Sequence, residues 1–148
     1  MTGGADIVIE RMRAEDLAAA EPLFRSLGYE IPAEDLRSRF AAITRRDAHA
    51  AFVARDADGG LLGLIHVYIR AALEKPVEAV IQSLVVAEAA RRRGIGKRLV
   101  REAERWAHTR GVSSISLHTQ LHRSDAEAFY ASDGFAETAQ ARLMRKKL

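Results

Sequence analysis

The stretch "VVAEAARRRGIGKRLV", residues 85–100, decides how this chain is read. An apolar run gives way to three arginines, and two glycines then open a segment of different period. Ile95, Leu99, Ala103 and Trp106 follow at steps of four, four and three, on one face of a helix that ends before Gly111. A strand therefore turns through a glycine-bearing loop into an amphipathic helix.

That context favours anions. The first turn of a helix has unpaired N–H groups and the positive end of the dipole. Glycine lets a ligand approach the backbone with no Cβ in the way. Arg91, Arg92, Arg93 and Lys97 add charge around Gly94, Ile95 and Gly96, a setting suited to a diphosphate. Two rival readings are solvated arginines beside a plain turn and a basic surface for nucleic acid. A Walker loop is excluded because Lys97 is followed by Arg98 rather than Ser or Thr. A dinucleotide fingerprint is excluded because Leu99 stands where its third glycine belongs.

Working outward, "VEAVIQSLVVA", residues 77–87, is the most strand-like run, and its apolar end suggests burial on both faces. "HAAFVARD" and "LLGLIHVYIRAAL" read as a hairpin around "ADGG". Ahead of them, "DIVIERM" reads as a strand and "TGGA", residues 2–5, as a frayed start. "RAEDLAAAEPLFRSLG" reads as a helix with Asp16 near its cap and Pro22 expected to kink or split it. "PAEDLRSRFAAI" is a second helix, with Pro32 in its first turn. Downstream, "VSSISLHT" is a strand, and "SDAEAFYASD" a short helix with Ser124 as N-cap and Glu127 completing a capping box. The tail "FAETAQARLMRKKL" is expected to form one or two strands. In order this is β-α-α-β-β-β-α-β-α-β, an α+β pattern around one mainly antiparallel sheet.

The 148 residues, 48% apolar and 29% charged, suit one globular domain. With no cysteine, disulfides, thiolate metal sites and an acyl-cysteine intermediate are excluded. The formal charge of +3 is too small to argue for DNA by itself. The chain has neither a long uncharged apolar run nor a signal-peptide pattern, which points to the cytoplasm and away from membranes. His118 and His122 straddle a turn without nearby carboxylates and are a poor metal site, so no metal is expected. His49 and His66 sit in strand contexts and suggest no role.

"LVVAEAARRRGIGKRLV" resembles the acetyl-CoA signature of the GNAT N-acetyltransferase superfamily, with Arg91, Gly94 and Gly96 at its Arg/Gln-x-x-Gly-x-Gly/Ala positions. "LHTQLHRSDAEAFYASDGF" resembles the family's later strand and helix. There Ala126, Phe129, Tyr130, Gly134 and Phe135 fit A-x-x-F/L-Y-x-x-x-G-F. The resemblance implies a GNAT fold over residues 1–148 as a single domain: a mixed, mainly antiparallel sheet flanked by helices. It implies acetyl-CoA as co-substrate, a primary amine acceptor, direct transfer in a ternary complex, and a homodimer.

Residue by residue, the resemblance implies that backbone amides from Arg91 to Lys97 hold the CoA pyrophosphate. Leu84, Val85 and Val86 would pair their backbone with the pantetheine arm, and an amide near Leu84 or Val85 would polarise the thioester carbonyl. A splay between this strand and "VSSISLHT" would admit the thioester. Tyr130 takes the position of the general acid. Gln82 stands where members often carry a glutamate base. Glu78, four residues earlier on the same side of a regular strand, is either a base acting through water or an exposed carboxylate. Arg123 occupies a position where the family often has a cofactor-touching Asn, and reads as a phosphate ligand or a solvated side chain. Tyr29, Glu30 and Glu74 are the candidates to face a cationic amine. An acyl-CoA-binding module without turnover and a nucleic-acid-binding domain are the alternatives.

Overall fold

The architecture is built around a nine-residue strand, β4 (Glu78–Val86), which pairs antiparallel with β3 (Leu61–Arg70) along its whole length. In the computed structural model, residues 6–148 are described; the start at residues 2–5 lies outside them. Contacts divide the chain into two units, one ending at His118 and one spanning Thr119–Leu148.

In the first unit five strands lie in the order β1-β2-β3-β4-β5, with β1 at Val8–Arg11, β2 at His49–Arg55 and β5 at Ile115–Leu117. Every pairing is antiparallel except β4 with β5, which is parallel. The sheet is thus mixed and mainly antiparallel, as expected.

Helices cover both faces. On one, α1 (Leu17–Ser26) packs Ala20 and Leu23 against Val53, Leu64 and Val85. On the other lies α3 (Ile95–Thr109), whose Ile95, Leu99, Val100, Ala103 and Trp106 are all buried. Gly63 is where α3 and β4 come closest to β3: a Cβ there would stand 2.8 Å from the Val85 carbonyl and 3.3 Å from Leu99. α2 (Ala33–Thr44) follows Pro32 and buries Leu36.

One local expectation is corrected in this unit and another sharpened. Pro22 does not split α1, which runs unbroken from Leu17 to Ser26. Ala20 and Leu23, on either side of the proline, are both anchored in the core, and tertiary burial outweighs the one lost backbone bond. Asp16 is the N-cap residue of α1, but its side chain accepts the Arg13 N–H of the preceding turn at 2.8 Å rather than an α1 amide, and it is buried in a bidentate pair with Arg55, 2.7 and 2.8 Å.

In the second unit, α4 (Ser124–Ser132) is the only helix among the described residues. The capping box of Ser124 and Glu127 is absent, because Ser124 is already inside the helix and Arg123 is its N-cap. The strand expected over residues 135–148 is likewise not formed. That segment spaces its charges irregularly, and Leu143, Met144 and Leu148 are exposed, so no apolar face drives pairing.

Candidate active site

The site is built where β4 outruns β5. Register pairs join β4 to β5 only at Ala79, Val80 and Ile81. Beyond them β4 continues to Val86 with no strand on that side among the described residues. The expected splay therefore begins at Gln82.

Backbone direction follows from two anchors. The Ala79 N–H donates to the Ser114 carbonyl at 3.0 Å, towards β5, and the Ala87 N–H donates to the Leu62 carbonyl at 2.8 Å, towards β3. Strand amides alternate in direction. Counting back from Ala87, Val85 and Ser83 address β3, whereas Val86 and Leu84 present their N–H and C=O groups to the open side. Counting forward from Ala79, Ile81 faces β5. The two counts disagree by one residue, and the register shows why: His66 pairs with Ser83 and Val67 with Ile81, leaving Gln82 as a β-bulge.

Register pairs run without a break from Glu78 to Ile81, and the bulge falls at Gln82 itself. Glu78 also has partners at the strand start: Ser114 Oγ donates to it at 3.0 Å and Arg70 lies at 3.6 Å. Six strand residues, about 20 Å at full rise, separate it from Leu84. Glu74 lies beyond it in the β3–β4 turn, exposed. Neither carboxylate is brought to the Leu84 end. Tyr29 and Glu30 are closer to that end in the fold: they follow Leu27, which packs on the cluster containing Val85 and Ala87. Tyr29 is 59% exposed, so its ring is free to meet a ligand.

After Val86, a single turn at Glu88–Ala90 buries Ala90 and leads into the arginines. Arg92 has φ 67° and Gly94 φ 74°, both left-handed. A left-handed residue costs a side chain roughly 1 kcal/mol and glycine almost nothing. The loop thus curls twice within three residues before the positive end of α3, a nest suited to an anion. Gly94 is the N-cap of α3, and the first bond into the helix runs from the Arg98 N–H to the Gly94 carbonyl at 3.1 Å. The N–H groups of Ile95, Gly96 and Lys97 precede it and have no carbonyl one turn back. No ion pair among the described residues uses Arg91, Arg92, Arg93 or Lys97. Arg98 is directed elsewhere, donating to the Ile7 carbonyl at 2.9 Å.

A diphosphate on an extended arm fits this arrangement. The anion meets the nest and the α3 N-terminus, and the arm lies along Leu84 and Val86, whose free amides and carbonyls match an amide-bearing chain. A second concavity, about 510 Å³ between Arg101–His108 and Val112–Ile115, lies at the opposite end of α3 and offers no such nest.

In the second unit, Tyr130 lies on α4 between Phe129 and Phe135, with ring centroids at 5.2 and 5.5 Å, both edge to face. Burial pushes its phenol above the usual value, so it stays protonated and able to donate. Arg123, half-buried, precedes this helix.

Sequence reasoning missed three features. One is the Gln82 bulge, which no residue type announces. Another is the left-handed Arg92, a conformation in which arginine is uncommon. The third is a histidine pair: His49 Nδ1 stands 3.0 Å from His66 Nε2, with Tyr68 stacked on His49 at 5.2 Å. Its signal lay in the hairpin, where the pairs His49–Tyr68 and Ala51–His66 put these side chains on one face. No group of potential metal ligands occurs among the described residues.

Known proteins resemble this chain in sequence and in fold. The profile of the Acetyltransferase (GNAT) family matches residues 10–135. An aminoglycoside N(6')-acetyltransferase type 1 of Serratia marcescens is 32% identical over 120 residues, 78% of this chain and 82% of the relative. Its namesake in Klebsiella aerogenes is 36% identical over 102 residues, 67% of each chain. The fold of AAC(6')-Iy, solved with the bisubstrate analogue CoA-S-monomethyl-acetylneamine, superposes with a TM-score of 0.84 at 22% identity, covering 96% of this chain and 99% of that one. The fold, the split beside β4 and the family match agree, and the chain belongs to the GNAT family of acetyltransferases.

Proposed function

We propose that residues 1–148 form one catalytic domain that moves the acetyl group of acetyl-CoA to a primary amine of an aminoglycoside-type acceptor. The observation that carries this reading is the open edge of β4 running directly into the nest at Arg91–Gly94. The relatives named for aminoglycoside N(6')-acetylation supply the acceptor class.

In this reading the amides of Arg92 to Lys97 hold the pyrophosphate, with Arg91 and Arg93 adding charge at the rim. Leu84 and Val86 hold the pantetheine arm as a neighbouring strand would. The Leu84 N–H faces the thioester carbonyl and stabilises the negative charge that grows on its oxygen. With no cysteine to carry an acyl group, the amine attacks directly. Tyr130 gives its proton to the departing thiolate. Tyr29 and Glu30 border the acceptor, Glu30 matching its positive charge. Arg123 serves a CoA phosphate. The Glu78 carboxylate, already partnered, holds the start of β4 in place. A cytoplasmic homodimer fits the absence of cysteine and the use of acetyl-CoA.

Two measurements test the proposal: acetyl-CoA binding by calorimetry, and thiol release with an aminoglycoside bearing a 6'-amine against its 6'-hydroxyl counterpart. Binding with release from the amine alone is expected. A Gly96→Glu change, placing a carboxylate on the α3 N-terminus, should abolish binding while leaving the melting temperature within a few degrees. Release from both compounds would remove the acceptor assignment, and wild-type protein that does not bind acetyl-CoA would remove the whole reading.

A further inference from the structure

The face of the sheet that carries α1 is apolar at one end and polar at the other. Val53, Leu64 and Val85 lie under α1. Two residues along β3 from Leu64 is His66, and two residues back along β4 from Val85 is Ser83, its register partner. The polar end of this face therefore begins beside the Gln82 bulge, one residue from Leu84. There His66 Nε2 meets His49 Nδ1 at 3.0 Å, and both rings lie against Tyr68.

Direct transfer from an ammonium acceptor has to dispose of one proton. An acceptor R–NH3+ carries three. One remains on the amide nitrogen, one leaves with the CoA thiol, and one must reach solvent. On β4 itself no carboxylate serves: Glu78 is paired with Arg70 and Ser114, far along the strand, and position 82 is a glutamine, while Glu30 is kept for the charge of the acceptor. We propose that His66, held by His49, is the base that receives this proton. The inference rests on the acetyltransferase reading above.

The 3.0 Å contact needs one hydrogen between two ring nitrogens. When His66 donates from Nε2 to His49 Nδ1, the Nδ1 of His66 is left as a lone pair. That nitrogen takes one proton from the acceptor ammonium, directly or through one water, and the lone pair so freed forms the N–C bond. The C–S bond then breaks, the thiolate takes the Tyr130 proton, the second acceptor proton restores Tyr130, and the imidazolium returns its proton to solvent. His49 fixes the tautomer and the orientation of the His66 ring. Burial, with the nearby His49, pushes His66 down to about 4, so its lone pair is present throughout the neutral range. Burial and the charge of Arg46 lower His49 as well, which keeps the partner neutral and able to accept.

The test compares wild type, His66→Gln and His49→Gln by acetyl-CoA calorimetry and by thiol-release kinetics with the 6'-amine acceptor, with and without added imidazole. Loss of a general base costs about 10²-fold in kcat. His66→Gln is expected to lose kcat on that scale, with acceptor KM and acetyl-CoA affinity within about twofold, and imidazole should restore part of the rate. His49→Gln, at the more open ring, should lose about tenfold, since His66 remains but is no longer oriented. Turnover in either variant equal to wild type, or a loss matched by lost acetyl-CoA binding and unmoved by imidazole, would overturn the assignment while leaving the acetyltransferase reading intact. Wild-type protein that neither binds acetyl-CoA nor releases thiol would overturn both.

Discussion

Tyr130 and Phe135 meet edge to face at 5.5 Å because the chain between them reverses through a left-handed glycine. The Phe135 N–H donates back to the Tyr130 carbonyl at 3.0 Å, and the Gly134 N–H to the Ala131 carbonyl at 3.2 Å. This is the Schellman ending of a helix, whose companion contact joins the residue after the glycine to the one a turn earlier. The spacing Y-x-x-x-G-F is thus a statement about geometry: the glycine closes α4, and the phenylalanine packs the tyrosine ring.

The two rings should separate under mutation. Phe135→Ala removes the packing partner and should lower stability by about 1–3 kcal/mol, the half-buried site keeping the loss below that of a core truncation. Tyr130→Phe keeps the ring and removes only the hydroxyl, so its melting temperature should hold while kcat falls about 10²-fold. Thermal melts paired with thiol-release assays check both, and full turnover in Tyr130→Phe would remove its assignment as the acid.

Gly63 should tolerate nothing larger. Even alanine would place a methyl group 2.8 Å from the Val85 carbonyl and 3.3 Å from the Val86 Cα, and because these are β4 backbone they cannot easily shift. Overpacking of this kind costs about 1–3 kcal/mol. Because the strain falls on β4 at Val85 and Val86, Gly63→Ala should weaken acetyl-CoA binding as well as lower the urea midpoint. Gly59, whose surroundings leave a Cβ open space, provides a contrast: there only the φ of 85° opposes substitution, and binding should be unaffected.

Acid should act in two stages. Burial, then His49, lowers His66 from 6.5 to about 4. Between those values the unfolded chain binds a proton that the folded protein does not, so stability falls as pH falls through that window. Asp16 acts lower. Burial opposes its ionisation, but the Arg55 side chain and the Arg13 N–H more than offset this and hold its carboxyl below 3.8. Its contribution is present above 3.8 and is lost as pH falls through the folded value. Urea midpoints from pH 8 to pH 3 should show both. His66→Gln should flatten the upper stage alone, and Asp16→Asn should lower the neutral plateau by about 1–3 kcal/mol and flatten the lower stage.

Much of this was legible in the sequence, for identifiable reasons. The helix from Ile95 declared itself through its spacing, and the nest through Gly94, because both depend on residue type at fixed intervals. Tyr130 and Phe135 were legible as a pattern, though not the helix ending that explains it. What escaped depends on partners distant in the chain. His49 and His66 are 17 residues apart and meet only through the hairpin register. Asp16 reads locally as a cap, and its engagement with Arg55 comes from 39 residues away. Pro22 misled because local propensity could not weigh the burial of Ala20 and Leu23 around it. The tail over residues 135–148 misled because its few apolar residues, read as strand, have no regular spacing to give them a common face.

Residue 82 works as a phase shifter. On the β5 side of the bulge, odd-numbered amides face β5; after it, even-numbered ones face the open edge, which selects Leu84 and Val86 over Ser83 and Val85. The same step turns the Val85 side chain into the α1 core. What matters at this position is then the path of the backbone rather than the chemistry of the side-chain amide. Gln82→Ala should retain acetyl-CoA binding within about threefold, since bulges are set by backbone geometry. Deleting Gln82 leaves the other register pairs in place, Ile81 with Val67 and Ser83 with His66, so Val85 should stay under α1 and Leu84 and Val86 should keep facing the open edge. Calorimetry on the two variants reads this directly: both should still bind acetyl-CoA, the deletion giving up only the local twist that one extra residue writes into the strand.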